Sequence, residues 1–164
     1  MMKGERKAWN ARQKELRALL GDPARYDEAL PVFLRQHGAV HAGEMSSTAD
    51  FSFQDGALSS LTEVQMRVVP EAMEHSIAWV LWHLARIEDA VMNALVTGED
   101  QLFHRKGWGG NLAVPMSHTG NAMTEEEVIR LSQEVDVDQL LAYRTAVGRE
   151  TEGIVRDLDP GGLT

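Results

Sequence analysis

At 164 residues the chain has the length of one hydrophobic core, so a single domain over residues 1–164 is expected. Sixteen basic against 25 acidic residues leave a net charge of -9, which repels phosphate backbones and anionic membrane surfaces and argues against a nucleic-acid partner. With no cysteine, disulfides, thiolate metal sites and a thiol nucleophile are excluded, and any metal must rest on histidine or carboxylate. Met1 to Arg17 lacks the apolar run of a signal peptide, and no later stretch approaches the roughly 18 apolar residues of a membrane span. The expected location is the cytoplasm, with no membrane partner.

The first segment, Glu5 to Leu20, is dominated by good helix formers, with Trp9, Leu16, Leu19 and Leu20 as its apolar members, and reads as a surface helix. Gly21 supplies a stop, and Asp22-Pro23 an N-cap followed by a first-turn proline. The second helix is expected to run to about Ser46, with Tyr26, Leu30, Phe33, His37, Val40 and Glu44 at three- and four-residue steps. Pro31 inside it predicts a kink, or a later start. Ser47 to Pro70 has no sustained period and reads as a connector with at most one helical turn, placed at Ser59 to Arg67.

From Glu71 to Val96 the period is the strongest in the chain. Ile77, Val80, Leu81, Leu84, Ile87, Val91 and Leu95 fall on one stripe, which predicts a helix buried along that face and closed by Gly98. Glu99 to Met123 holds Gly107, Gly109, Gly110, Asn111, Pro115, Gly120 and Asn121 and reads as a long loop or lid without regular helix. Thr124 with Glu127 is a capping box opening a short helix. Asp136 with Gln139 repeats the device for a longer helix ending before Asp159-Pro160. No strand pattern appears, so the fold class expected is all-α.

Three histidines carry the candidate chemistry. On a helical wheel, His83 lies at the edge of the apolar stripe beside Ala90 and Ala94, with Trp79 and Ile87 one turn to either side, a sheltered position that favours the neutral, ligating imidazole. Its alternative is a core histidine bonded to a backbone carbonyl. His37 and His41 form an H-x3-H pair on one face of the second helix, able to share one ion, although without the glutamate of the zinc-protease signature. Glu88 falls inside the stripe, where an unpaired carboxylate is costly, and needs an arginine, a histidine or a metal beside it; Arg86 lies too far around the helix to serve. His104 and His118 lie on the Gly-rich segment with Trp108, where they could reach a pocket mouth or simply be solvated. Met45, Met66, Met73 and Met92 are dispersed, as core filler is.

The segment from Ser76 to Asp89, SIAWVLWHLARIED, resembles the motif-bearing second bundle helix of the DinB-like superfamily, where W-x-L-x-H-L-A-x-x-E recurs. The capped helix Asp136 to Leu158, with Leu140-Leu141-Ala142-Tyr143-Arg144, is similar to that family's third helix. The resemblance implies a four-helix bundle of up-up-down-down connectivity, often dimeric, that binds a divalent metal (Zn, Ni, Mn or Fe) through three histidines. It implies His83 as one ligand and, in some members, a transferase, isomerase or hydrolase activity that depends on a low-molecular-weight thiol. The family's other two ligands come from an H-x3-H on a fourth helix, and here Gly161-Gly162-Leu163-Thr164 directly follows the third. Three readings stay open: His37 and His41 substitute, the sequence is truncated, or no metal binds. The Glu5 to Leu20 segment or a partner subunit must cover the stripe that a missing helix would expose, and a homodimer is expected. The competing expectation is a non-catalytic bundle acting as an oligomerisation or small-ligand-binding module.

Overall fold

The computed structural model describes residues 3–70 and 75–162. Met73 and the start of the helix expected from Glu71 lie outside the described residues. The described chain is all-helical without a strand, as its patterning predicts, and none of its helices is long and apolar enough to cross a membrane. It forms two compact units, one of residues 1–59 with 148–164 and one of residues 60–147. Each is described by itself.

In the first unit, α1 (Lys3–Leu19) packs on α2 (Tyr26–Val40). Leu16 and Leu19 meet Ala29, with Val32 and Phe33 against them. The polar edge of this contact is also paired. Arg12 Nε donates to Gln36 Oε1 at 3.0 Å, and Gln36 Nε2 to the Trp9 carbonyl at 3.2 Å. Asp22 caps as expected, accepting from the Ala24 N–H at 3.0 Å, but a 3-10 turn, Pro23–Arg25, intervenes before α2 starts. The helix runs through the exposed Pro31 unbroken and ends at Val40, short of the expected Ser46. A short helix missing from the sequence reading, α3 (Phe53–Leu58), begins on Ser52, whose hydroxyl accepts from the Asp55 N–H at 2.9 Å. The second half of α9 (Val137–Asp157) completes this unit, and the Tyr26 hydroxyl donates to the Val155 carbonyl.

In the second unit, α4 (Glu63–Arg67) opens on a Thr62–Gln65 capping box within the stretch expected to hold a turn. The Ser76 hydroxyl starts α5 (Ile77–Asp89) by accepting from the Trp79 N–H at 3.0 Å. Eight π-helical residues, Ala90–Thr97, extend it to Gly98, whose φ of +73° closes it as expected. The buried face of α5 is not the predicted one. Ala78, Trp79, Leu81, Trp82, Ala85, Arg86 and Asp89 are buried, whereas Ile77, Val80, Leu84, Val91 and Leu95 of the expected inward stripe are exposed, Leu95 by 78%.

The reason is a polar cluster that an apolar count places outside. Asp89, 0% exposed, accepts at Oδ2 from Arg86 Nη1 (3.0 Å), the Tyr143 hydroxyl (2.6 Å) and the Phe103 N–H (2.8 Å), and at Oδ1 from Asn93 Nδ2 (2.8 Å) and the Leu102 N–H (2.7 Å). Arg86 also donates to Tyr143 Oη (2.8 Å), Gln101 Oε1 (2.6 Å) and the Ser117 carbonyl (2.6 Å). Buried charge survives only when paired and hydrogen-bonded; here Asp89 and Arg86 pair with each other and both take further hydrogen bonds, although Arg86 Nε has none. Burial, foremost, pushes the Tyr143 phenol far above its usual value, so it stays a donor to Asp89.

The same cluster corrects the loop expectation. Asp89 caps α6 (Leu102–Arg105), and a left-handed Gly107 (φ +67°) separates it from α7 (Trp108–Asn111). Residues 99–123 therefore hold two single-turn helices, with Leu102, Phe103 and Leu112 buried. Helix α8 (Glu125–Glu134) carries both reciprocal bonds of the Thr124–Glu127 capping box. Helix α9 opens with Asp136 Oδ1 accepting from the Gln139 N–H at 3.0 Å, as the spacing predicted.

Candidate metal centre

The H-x3-H pair lies at a helix end rather than within a helix. His37 is in the last turn of α2, and His41 is the residue after it, in extended conformation (φ -102°, ψ 177°). The chain turns there because Gly38 lets it close back: a Cβ on Gly38 would lie 3.1 to 3.2 Å from Ser46 and Ala49. Two side chains then hold the turn. The Ser52 hydroxyl donates to the His41 carbonyl at 2.5 Å, and the Gly43 N–H donates to Asp55 Oδ2 at 2.8 Å. The two imidazole centroids come to rest 4.6 Å apart, inclined at 48°, with the Phe33 ring stacked 5.5 Å from that of His37.

Helix α9 supplies the facing wall within the same unit. At Gly148 a Cβ would stand 2.9 Å from both Cε1 and Nδ1 of His41 and 3.0 Å from Met45 Cγ, so the helix needs glycine there to admit the imidazole. One turn on, Glu152 Oε1 lies 3.9 Å from His37 Nδ1, the two side chains being 13% and 10% exposed. His41 and Thr151 are 1% and 2% exposed. The Thr151 hydroxyl and Glu152 Oε1 are buried without a hydrogen-bond partner, although such atoms are normally paired. Two imidazoles held side by side are donors that suit a divalent ion such as Zn, Fe or Mn.

His83 belongs to the second unit. Its ring stacks on Trp79 (4.6 Å, 14°), whose ring also meets His75 at 3.7 Å. His83 Nδ1 lies 2.8 Å from the Thr119 carbonyl, so Nδ1–H donates and the neutral tautomer carries its lone pair on Nε2, the arrangement a ligating histidine uses. Gly120 (φ +99°) presses on Trp79, where a Cβ would be 3.2 Å from Cζ2, and Trp79 Nε1 donates to Met123 Sδ at 3.1 Å.

Glu88 is half-buried, and the arginine it needs is Arg144 rather than Arg86. Burial, the larger cause, lowers the Arg144 guanidinium from its usual value, and the Glu88 carboxylate opposes that shift. His104 and His118 are exposed, and His118 Nδ1 accepts from the Gly120 N–H at 3.2 Å. Neither Glu152 nor Thr151 was visible in the sequence reading. The one signal was Gly148, since a glycine inside a strongly helical stretch usually marks a close approach.

A family model described as the DinB superfamily matches residues 54–164, more than half of the chain, and spans His83, Glu88 and Glu152 but not His37 or His41. Among curated proteins nothing matches the chain. The motif around His83, the all-helical architecture and this match lead to one conclusion, that the chain belongs to the DinB superfamily.

Proposed function

We propose that the protein binds a divalent metal ion through His37 and His41 and uses it as an enzyme of the thiol-dependent transferase, isomerase or hydrolase kind, acting on a small molecule. The observation that supports this reading is the close approach of the two imidazoles, 4.6 Å between centroids, in an interior that also holds the Glu152 carboxylate. The bound ion would polarise a substrate or lower the proton affinity of a thiol or water. The protein's part is to hold neutral imidazoles in place and to keep solvent away from them, which the burial of His41 serves. The family resemblance also nominates His83 as a ligand in its own right, and the Thr119 bond leaves its Nε2 unused. A homodimer is the proposed assembly.

Metal analysis of protein purified without chelator tests the reading. The expected content is near one equivalent of Zn, Ni, Mn or Fe, falling about tenfold or more in His41→Ala. His83→Ala decides that nomination separately: a ligand loses metal, whereas a packing residue loses only stability, about 1 to 3 kcal/mol. Less than about a tenth of an equivalent in the parent protein, with no uptake on titration, overturns the proposal. The exposed aliphatic side chains Ile77, Val80 and Leu84 of α5, with Leu95 of the π-helical stretch after it, favour a second reading as a non-catalytic association module, because exposed apolar surface marks interaction sites. That reading predicts self-association, seen by light scattering, that is indifferent to metal removal.

A further inference from the structure

We infer that one face of α1 is a binding site for a small anion that carries a flat ring, of the nucleotide kind, with Trp9 taking the ring and Lys14 and Arg17 the phosphate. Trp9, Asn10, Gln13, Lys14 and Arg17 line a cavity of about 430 Å³ in the first unit, within the range of small-molecule sites. The five form one strip of the helix, related by steps of three and four residues. A rise of about 1.5 Å per residue puts Lys14 about 7.5 Å and Arg17 about 12 Å along the axis from Trp9, so the ring and the phosphate of one ligand are gripped at opposite ends. None of the five belongs to the proposed metal centre, so the site stands whether or not that centre binds an ion.

Charge sets this helix apart. Lys3–Leu19 holds six basic and two acidic residues of a chain that has 16 and 25, and a local cationic surface draws anions to an otherwise acidic protein. Arg25, Arg35, Arg130 and Arg156 each face a carboxylate, of Glu28, Asp50, Glu134 and Glu152. Lys14 and Arg17 have no acidic residue three or four positions away. Among the described residues, neither their side chains nor the amides of Asn10 and Gln13 make a hydrogen bond or an ion pair. Two like charges one turn apart repel each other, and an anion between them removes that cost. Leu16 and Leu19 are buried in the contact with Ala29 of α2, so a lipid surface would find no aliphatic stripe on α1 to take in. Recognition of an apolar part falls instead to Trp9, half-buried with its ring 5.1 Å from that of Phe53, whose backbone carbonyl Gln36 Nε2 holds. An indole is the side chain best suited to stack on a flat ring.

The test titrates the full chain with AMP, adenosine and inorganic phosphate at constant ionic strength, following the Trp9 indole N–H by NMR. AMP is expected to shift that signal with a Kd below about 1 mM, and adenosine and phosphate each to bind at least about tenfold more weakly. Lys14→Gln combined with Arg17→Gln changes two exposed positions to another good helix former and should weaken AMP about tenfold or more. Lys106→Gln combined with Arg130→Gln removes the same charge from exposed positions of the second unit and should leave the affinity within about twofold. No shift at Trp9 with AMP at about 10 mM, an unchanged affinity in the α1 variant, or an equal loss in the second-unit variant overturns the site. Phosphate binding as tightly as AMP removes Trp9 from it, adenosine binding as tightly removes the two cations, and either result overturns the assignment.

Discussion

Replacing Asp89 by alanine tests the account of the second unit most directly. The change deletes the acceptor of five donors and leaves the Arg86 guanidinium, 1% exposed, without its carboxylate. Arg86 keeps Tyr143 Oη, Gln101 Oε1 and the Ser117 carbonyl, so its polar contacts survive while its charge goes uncompensated. Breaking a buried pair by removing one partner costs about 3 to 5 kcal/mol. The orphaned Leu102 and Phe103 amides add to this non-additively. Against a typical stability of about 5 to 15 kcal/mol the variant is marginal, so Asp89→Asn accompanies it. Its amide offers one acceptor where two oxygens now serve, and a loss of about 2 kcal/mol or more is expected. The assay is urea unfolding followed by circular dichroism, with amide hydrogen exchange at Leu102 and Phe103 as the local readout. Combining Arg86→Met with Asp89→Leu should restore part of the loss, because neither charge is then left alone. An Asp89→Ala midpoint equivalent to less than about 1 kcal/mol, or unchanged exchange at the two amides, would refute the reasoning.

Gly148→Ala inverts a propensity rule: alanine favours a helix interior by about 1 kcal/mol, yet a Cβ 2.9 Å from the His41 ring should make the variant less stable by about 1 to 3 kcal/mol. It should also weaken Zn(II) binding, and a raised melting temperature contradicts the packing at His41. For Glu127, the N–H of Thr124 first and its hydroxyl second hold the carboxyl below its usual 4.5. A folded value lowered in this way contributes stability above the unfolded value and loses it as pH falls through the folded one. Carboxyl carbon titration by NMR should therefore place its midpoint below 4.5, and Glu127→Gln should flatten the acid limb of the stability profile; a midpoint at or above 4.5 removes the cap from the account.

Helix ends were legible because a cap is a local contract between residues three apart. The Thr124–Glu127 box, the Asp22 cap and the stop at Gly98 needed no knowledge of the rest of the fold. The inward face of α5 was not legible, and the error has two physical sources. A wheel weighted by hydropathy turns Arg86, Asp89 and Asn93 outward, although residues at these three- and four-residue spacings satisfy one another inside. The π-helical stretch after Asp89 then breaks the constant angle per residue on which any wheel depends. For the candidate centre, His37 and His41 were readable as a pair because they are close in sequence. Glu152 was not, since only the fold brings it beside His37.

The ending of α2 at Val40 has a consequence for that pair. Two side chains four residues apart inside a helix have their Cβ atoms fixed about 5 to 6 Å apart by the backbone, which offers every ion the same bite. With His41 beyond the last turn, the separation of the rings is set instead by the loop that follows, through the Ser52 hydroxyl on the His41 carbonyl and the Asp55 carboxylate on Gly43. The bite of the two imidazoles is thus tied to the turn after α2 and to the start of α3 that anchors it. Substitutions at Ser52 or Asp55, neither of which carries a ligand atom of the proposed centre, could change which ion it prefers while both histidines stay in place.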